Sequence, residues 1–423
     1  MKIITEKIYL FLIPSLFTFP LFKESISSAI IVLLVLNTIL YHFAHKIVPK
    51  IKLEIFFLTI PFWIVLIHSL IFNQLLNNKI PLQHALFFLI IPLIFTLIPF
   101  RFFDAKSMTL YFSILKNTCL IIGLFYITSY FYYHSFNELF VVYQNVSSFR
   151  NYVYNDVNII KIHPTYYTTI LILCSTQSFE SVIKEKKVFE FIYILFFIVI
   201  SFLLLAKLNI VFLVIVLIGM QLFRSQYSLR KKIILTFFLS ISVALLIALT
   251  PGIKSRFVEI INSANKPPQG VAYDSTNIRK AVFDCSVSIL KTDYVHGVGF
   301  GNLQERLNTC YEENYNSDFY RKNQYMTHNY YFYILISSGI FGFLFFVFYA
   351  FQIIKIGFQL RYFIFTIFLV NIFFVCLIED FIYRHYGVLY FNLLLMCFIQ
   401  YSKNGYTNSP NSSKKVFNIS NKL

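Results

Sequence analysis

Two side chains suited to group-transfer chemistry occur in one polar segment of an otherwise apolar chain. The segment runs from about residue 251 to 327, with Arg279 near its middle. His328 follows directly, where a new apolar run begins. An arginine fork matches a phosphate group in shape and charge. A helix N-terminus favours neutral imidazole and a bound anion, and neutral imidazole is the form that a general base requires. The pair indicates chemistry on an anionic, lipid-linked substrate at a membrane surface.

Three further basic side chains are candidates for binding an anionic headgroup. Lys207 interrupts the apolar run 189–223, and an ionisable residue at membrane depth is costly enough to suggest a function. Extension of its amine to the membrane interface is the equally weighted alternative. Arg150 and His163 bracket a smaller external loop, residues 132–161. We expect both to face the same side of the membrane as Arg279.

Two other polar motifs have structural interpretations at least as strong as functional ones. The turn Gly297-Val298-Gly299-Phe300-Gly301 lets the backbone approach a ligand closely, but it also suits a turn that closes the polar segment. It lacks the Gly-Lys-Ser/Thr sequence of a nucleotide-binding loop. Near the end of the chain, Glu379-Asp380 and Arg384-His385 are predicted to form internal ion pairs.

Helices that cross a membrane must position these residues. The chain has 423 residues, of which 58% are hydrophobic, and apolar runs of roughly 17–25 residues recur along it, each long enough to cross a bilayer. The candidate spans are residues 8–22, 26–44, 54–72, 82–98, 109–131, 162–179, 188–206, 208–223, 232–250, 329–352, 361–378 and 384–401. We therefore predict an all-α polytopic membrane protein with about twelve transmembrane helices.

The net charge of +17 is distributed over alternate short loops, which is typical of loops on the cytoplasmic side. Both termini are then cytoplasmic, and the loop 132–161 and the polar segment are extracytoplasmic. Nucleic-acid binding is disfavoured because the basic residues form no continuous stripe. The predicted division is an N-terminal bundle of about nine helices (1–250), a large external loop containing a short amphipathic helix (251–328), C-terminal transmembrane helices (329–401) and a disordered cytoplasmic tail (402–423).

The cysteines and acidic residues bear on redox state and metal binding. Four of the six cysteines lie inside predicted spans, whereas Cys285 and Cys310 lie in the polar segment on the oxidising side. That compartment permits a disulfide bond between them, although two free thiols remain the alternative. No Cys/His cluster resembles a zinc site, and the external loops contain no Asp-x-Asp motif. We predict no metal and no cofactor.

The order of these motifs resembles the O-antigen ligase and polymerase family of bacterial envelope glycosyltransferases. The matching elements are Arg279 in the early helix of the loop, the Gly297–Gly301 turn, Thr327-His328-Asn329-Tyr330, and Gly339-Ile340-Phe341-Gly342. The best-matching stretch is about 275–345, and the predicted topology is similar over the whole chain. No single motif is diagnostic; their order and spacing carry the resemblance.

The resemblance implies a transferase of the GT-C type in the bacterial inner membrane. Such enzymes take a glycan from undecaprenyl diphosphate at the outer membrane face. Ligases attach the glycan to the lipid A core, and polymerases join it to another repeat unit. The essential His and Arg of the family fall on His328 and Arg279. A further family Arg falls where this chain has Lys207, which keeps the charge but lacks the bidentate fork.

The resulting hypothesis is a metal-independent, inverting ligase that contacts membrane lipids. His328 would act as general base, and Arg279, Lys207 and Arg150 would stabilise the leaving diphosphate. The alternatives are a polymerase of the same family or a transporter of lipid-linked sugars. The absence of a convincing internal repeat in the sequence disfavours the transporter, and a structural scaffold would not explain why the ionisable groups converge on one face.

Overall fold

A computed structural model of the chain describes residues 1–49, 54–143, 146–160, 162–225, 228–250, 258, 261–263, 268, 275–315, 318–360 and 362–407. Most of the first third of the predicted polar segment, residues 251–274, is therefore outside the described residues. The same holds for residues 408–423 of the predicted tail.

The described chain is predominantly helical. The helices are α1 (Lys2–Leu16), α2 (Glu24–His45), α3 (Glu54–Leu58), α4 (Ile60–Ile71), α5 (Lys79–Ala85), α6 (Phe87–Leu97), α7 (Ala105–Tyr133), α8 (Ser148–Asn155), α9 (Pro164–Glu185), α10 (Glu190–Leu203), α11 (Lys207–Phe223), α12 (Leu229–Leu249), α13 (Ser275–Asp293), α14 (Leu303–Tyr315), α15 (Asp318–Lys322), α16 (Tyr330–Leu360), α17 (Phe363–Val375) and α18 (His385–Thr407). Short 3₁₀ helices span Phe19–Leu21, Phe100–Phe103 and Asn137–Phe140. Strands β1 (Val142–Tyr143) and β2 (Val146–Ser147) pair antiparallel in the external loop.

The all-α membrane architecture predicted from the sequence is confirmed, and the count of twelve spans stays a prediction. Every predicted span coincides with one helix or with two consecutive helices. Among the described residues, 5 helical stretches are long and apolar enough to cross a membrane alone. They are Glu24–His45, Lys79–Leu97, Ala105–Tyr133, Leu229–Leu249 and Tyr330–Leu360. Shorter apolar helices, such as α10, α11 and α17, lie between them.

Helix α9 lies at the centre of the bundle and has His163 at its N-terminal end. Its side chains are buried over most of its length. A buried amide on α11, Asn209, donates to the carbonyl of Thr165 at 3.0 Å and to the hydroxyl of Thr168 at 2.7 Å. From α17, Asn371 donates to the carbonyl of Thr169 at 3.1 Å. Hydrogen bonds of this kind are strong in a low-dielectric interior, so α9 holds its neighbours in fixed register.

The glycine-rich turn is a structural junction with a broken transmembrane helix. Helix α16 is interrupted at Gly339, where φ is 66° and ψ is −171°, a conformation essentially restricted to glycine. The backbone N–H groups of Val298 and Gly299 donate to the carbonyls that the break frees, Ile336 and Ser337, each at 2.9 Å. A Cβ atom on Gly297 would lie 2.5 Å from the backbone nitrogen of Gly339. The two glycine motifs thus form one contact that packs the polar segment against α16.

Helix α4 and the connection that follows it hold the opposite side of the same turn. The Asn78 side-chain oxygen accepts a hydrogen bond from the Gly301 N–H. The His68 Nε2 atom lies 2.8 Å from the carbonyl oxygen of His296. Because backbone groups on both faces of the turn are engaged, the turn has a packing role that explains its glycines without a ligand.

Candidate active site

A single carboxylate, Glu379, connects the two residues that the sequence indicated as catalytic. Glu379 lies in the turn between α17 and α18. Its Oε2 atom is 3.3 Å from Nδ1 of His328, and its Oε1 atom is 3.6 Å from a guanidinium nitrogen of Arg279. The sequence predicted internal ion pairing within the cluster Glu379-Asp380 and Arg384-His385. The structure instead pairs Glu379 with Arg279 of the polar segment and with His328, which directly follows that segment.

The Glu379 carboxylate remains ionised despite its enclosure. Burial alone would raise the pKa of Glu379, but the hydrogen bond with His328 and the charges of His328, His163 and Arg279 lower it to about 2. An ionised carboxylate only accepts hydrogen bonds, so Nδ1 of His328 must carry the proton that is shared with Glu379. In neutral imidazole the lone pair then resides on Nε2. That tautomer leaves Nε2 as the nitrogen able to take a proton from a substrate.

The adjacent carboxylate, Asp380, fixes the backbone around His328. Its two oxygens accept hydrogen bonds from the Thr327 hydroxyl, from the His328 N–H at 3.0 Å and from the Asn329 N–H at 3.2 Å. Burial raises the pKa of Asp380, and the donors from Thr327 and His328 oppose that rise. His328 has φ of 45°, an uncommon conformation for a residue with a Cβ atom. Asp380 therefore stabilises the turn that presents the imidazole.

Asn329 begins helix α16 immediately after His328. Its side-chain oxygen accepts hydrogen bonds from the N–H groups of Tyr331 at 3.0 Å and Phe332 at 3.1 Å. These are two of the donors that a helix N-terminus leaves without intrahelical partners. The imidazole is thereby located at the N-terminal end of a long apolar helix, the position that the sequence predicted.

His163 belongs to the same polar region, but its proton lies on the other ring nitrogen, Nε2. Its Nδ1 atom accepts a hydrogen bond from the Thr165 N–H at 3.3 Å. A ring nitrogen that accepts a hydrogen bond carries no proton. Arg150, Arg384, His328 and Glu379 all interact electrostatically with this ring. His163 is therefore neutral at physiological pH, with its proton on Nε2. It offers one neutral N–H donor to this region.

Lys207 follows the turn between α10 and α11, and the side chain of Arg150 reaches that turn from α8. An Arg150 N–H group donates to the carbonyl of Leu204, and the following residue, Leu205, has φ of 50°. Lys207 is the first residue of α11, two positions before the Asn209 that contacts α9. The structure thus places Lys207 at the same end of the bundle as His163, and it gives Arg150 a role in holding the turn that precedes Lys207.

A disulfide bond joins Cys285 on α13 to Cys310 on α14. Helix α13 carries Arg279, and the apolar face predicted for it, which includes Ile278 and Val282, is buried in the main core. The disulfide therefore ties the helix that supplies the guanidinium to the helix that follows the glycine-rich turn.

We expect loss of this disulfide to destabilise the external segment. A crosslink that closes a loop of 25 residues contributes about 2–4 kcal/mol. Thermal inactivation of purified Cys285→Ser, Cys310→Ser and the double variant should show lowered midpoints. The double variant should lose no more than either single variant, because one bond is lost in each. Additive losses, or intact masses showing six free thiols in the wild type, would contradict the assignment.

Sequence reasoning missed the roles of Glu379 and Asp380. Both follow directly on the predicted span 361–378. An available signal was the general rule that acidic residues at membrane depth are costly and mark functional sites or pairs. The identity of their partners was not accessible, because residues near 279, 328 and 379 meet only through tertiary packing.

The comparison with protein families gives one match. Residues 191–347 match the family model described as O-antigen ligase. The matched region runs from α10 into α16 and includes Lys207, Arg279 and His328, whereas Glu379 lies beyond it. No curated protein matches the chain.

Proposed function

We propose that this membrane protein, whose residues 191–347 match the O-antigen ligase family model, transfers a glycan from undecaprenyl diphosphate to an acceptor hydroxyl, with the lipid A core as acceptor. The reaction takes place at the outer face of the bacterial inner membrane. The observation that supports this most directly is the Glu379 carboxylate between His328 and Arg279. It links a base for the acceptor to a cation for the leaving group.

The acceptor hydroxyl is activated by His328. Nε2 takes the hydroxyl proton while the acceptor oxygen forms a bond to the anomeric carbon. Glu379 stabilises the imidazolium that results and keeps the ring oriented through Nδ1, as a buried carboxylate does in other His-based sites. A one-step displacement inverts the anomeric centre. The proton ends on His328 and is released to solvent after the product leaves.

The leaving diphosphate takes the electron pair of the broken carbon–oxygen bond, and cationic side chains stabilise its charge. Arg279 is the first of these, with its side chain 46% exposed and therefore accessible to a ligand. Lys207 at the start of α11 is the second. Among the described residues no group of three His, Cys, Asp or Glu side chains could hold a metal ion. The charge stabilisation in this mechanism is assigned to guanidinium and ammonium groups.

The envelope polysaccharide of a deletion strain tests the transferase class and the acceptor. We expect deletion in the host bacterium to leave full-length polymer on its lipid carrier and to remove it from the lipid A core. Complementation with the wild-type gene should restore the core-linked polymer. Chains shortened to single repeats on the core would instead identify a polymerase. Loss of any external lipid-linked glycan would point to a transporter.

A further inference from the structure

Arg384 is a guanidinium in the site region that forms no ion pair or hydrogen bond with the residues that the structure describes. It precedes His385, the first residue of α18, and it is exposed. Within the described ranges, no carboxylate oxygen lies within 4.0 Å of its nitrogens, and no hydrogen bond or ring contact involves them. Arg279, by contrast, faces Glu379, and Arg150 donates to the Leu204 carbonyl.

The surroundings of Arg384 place its charge beside the catalytic groups. Its guanidinium interacts electrostatically with Tyr166, Glu379, Asp380 and Tyr154. The charge of Arg384 also acts on His163. The turn that carries Arg384 packs against α9: the Tyr166 hydroxyl donates to the Asp380 carbonyl at 3.1 Å, and the Tyr166 ring stacks on Phe381 with ring centroids 4.6 Å apart. The Arg384 guanidinium keeps its positive charge at any physiological pH.

The two neighbouring carboxylates already contact other donor groups. Glu379 offers one oxygen to His328 and the other to Arg279. Asp380 accepts from Thr327, His328 and Asn329. A third acidic residue, Glu24 at the start of α2, lies within electrostatic range of Arg384 without forming an ion pair. As far as the described residues go, the five N–H donors of Arg384 therefore remain available for a ligand.

We propose that Arg384 binds the diphosphate of the lipid-linked donor through its bidentate fork, with His163 as a neutral N–H donor beside it. The inference rests on the proposed function, because it names a donor-binding residue of the same site. Arg384 supplies the bidentate fork that the ammonium group of Lys207 lacks. The position at the N-terminus of α18 adds a favourable helix dipole.

Binding of radiolabelled undecaprenyl diphosphate to the full-length protein in nanodiscs tests this assignment, with inorganic diphosphate as competitor. We expect Arg384→Gln to weaken binding by about tenfold or more. Arg384→Lys should bind with intermediate affinity because it retains the charge alone. The matched control is Arg306→Gln, which removes an external guanidinium paired with Asp293 at 2.9 Å and should bind as the wild type does. In glycan transfer, Arg384→Gln should raise the donor KM and leave the acceptor KM unchanged.

The outcomes separate this inference from the proposed function. Wild-type transfer with unchanged donor affinity in Arg384→Gln would overturn the role of Arg384 and leave the transferase intact. A lowered thermal midpoint with unchanged affinity would also overturn it and show a structural role. The wild-type protein could also transfer no glycan, while Arg384→Gln binds undecaprenyl diphosphate more weakly than the wild type does. That result would support the diphosphate-binding role of Arg384 and reject the transferase.

Discussion

His328→Ala should reduce kcat for glycan transfer by about a hundred- to ten-thousandfold, the usual contribution of a positioned general base. The donor KM should change little, because the diphosphate is assigned to Arg279, Lys207 and Arg384. The measurement is transfer by purified full-length protein from a lipid-linked glycan to lipid A core. A histidine outside the site serves as control: His134 pairs with Glu138 in the smaller external loop, and His134→Ala should transfer at the wild-type rate.

The backbone at His328 requires a second variant. Its φ of 45° disfavours alanine, so a loss in His328→Ala could reflect a distorted turn. Asparagine adopts this conformation more readily than most residues, and it cannot act as a general base at neutral pH. His328→Asn should therefore retain the wild-type thermal midpoint and still lose transfer. Near-normal transfer by either variant would reject His328 as the base.

The helices were predictable because a single physical requirement determines them. An apolar run that crosses lipid must satisfy its backbone groups internally, and the lengths of such runs can be counted along the chain. Helix α13 was similarly accessible: Ile278, Val282 and Ile289 recur on one face, and all three are buried. The turn at Gly297–Gly301 was favoured as structural. The contact of this turn with α16 could not be inferred, because no sequence pattern indicates that α16 breaks at Gly339.

The site was less accessible because its members meet by packing rather than by spacing. Composition and order drew attention to Arg279 and His328. Glu379, which lies between them, was predicted to pair within its own turn. Arg150 was predicted to bind an anion, and the structure has it donating to the Leu204 carbonyl. A helix end leaves its last carbonyls without backbone donors, so a nearby guanidinium is a suitable partner.

Glu379→Gln should lower kcat by about a hundredfold, because one substitution removes the charge-assisted contacts to both His328 and Arg279. Glutamine keeps the size of the side chain, so the loss reports the charge. The protonated imidazole also loses its counter-charge. The acid limb of the pH–rate profile should therefore move to lower pH in the variant. This shift distinguishes a positioning carboxylate from a purely structural one.

Stability should follow the protonation of Glu379. The folded-state pKa of about 2 lies below the ordinary value of 4.5, so the stabilising contribution is complete above pH 4.5 and is lost as the pH falls through 2. Thermal midpoints of wild type and Glu379→Gln should differ at pH 7 and converge as the pH approaches 2. The matched control is Glu138→Gln, which alters the pair with His134 and should leave kcat unchanged. If Glu379→Gln retained both the wild-type kcat and the wild-type pH–rate profile, the coupling of base and leaving-group cation through one carboxylate would be wrong.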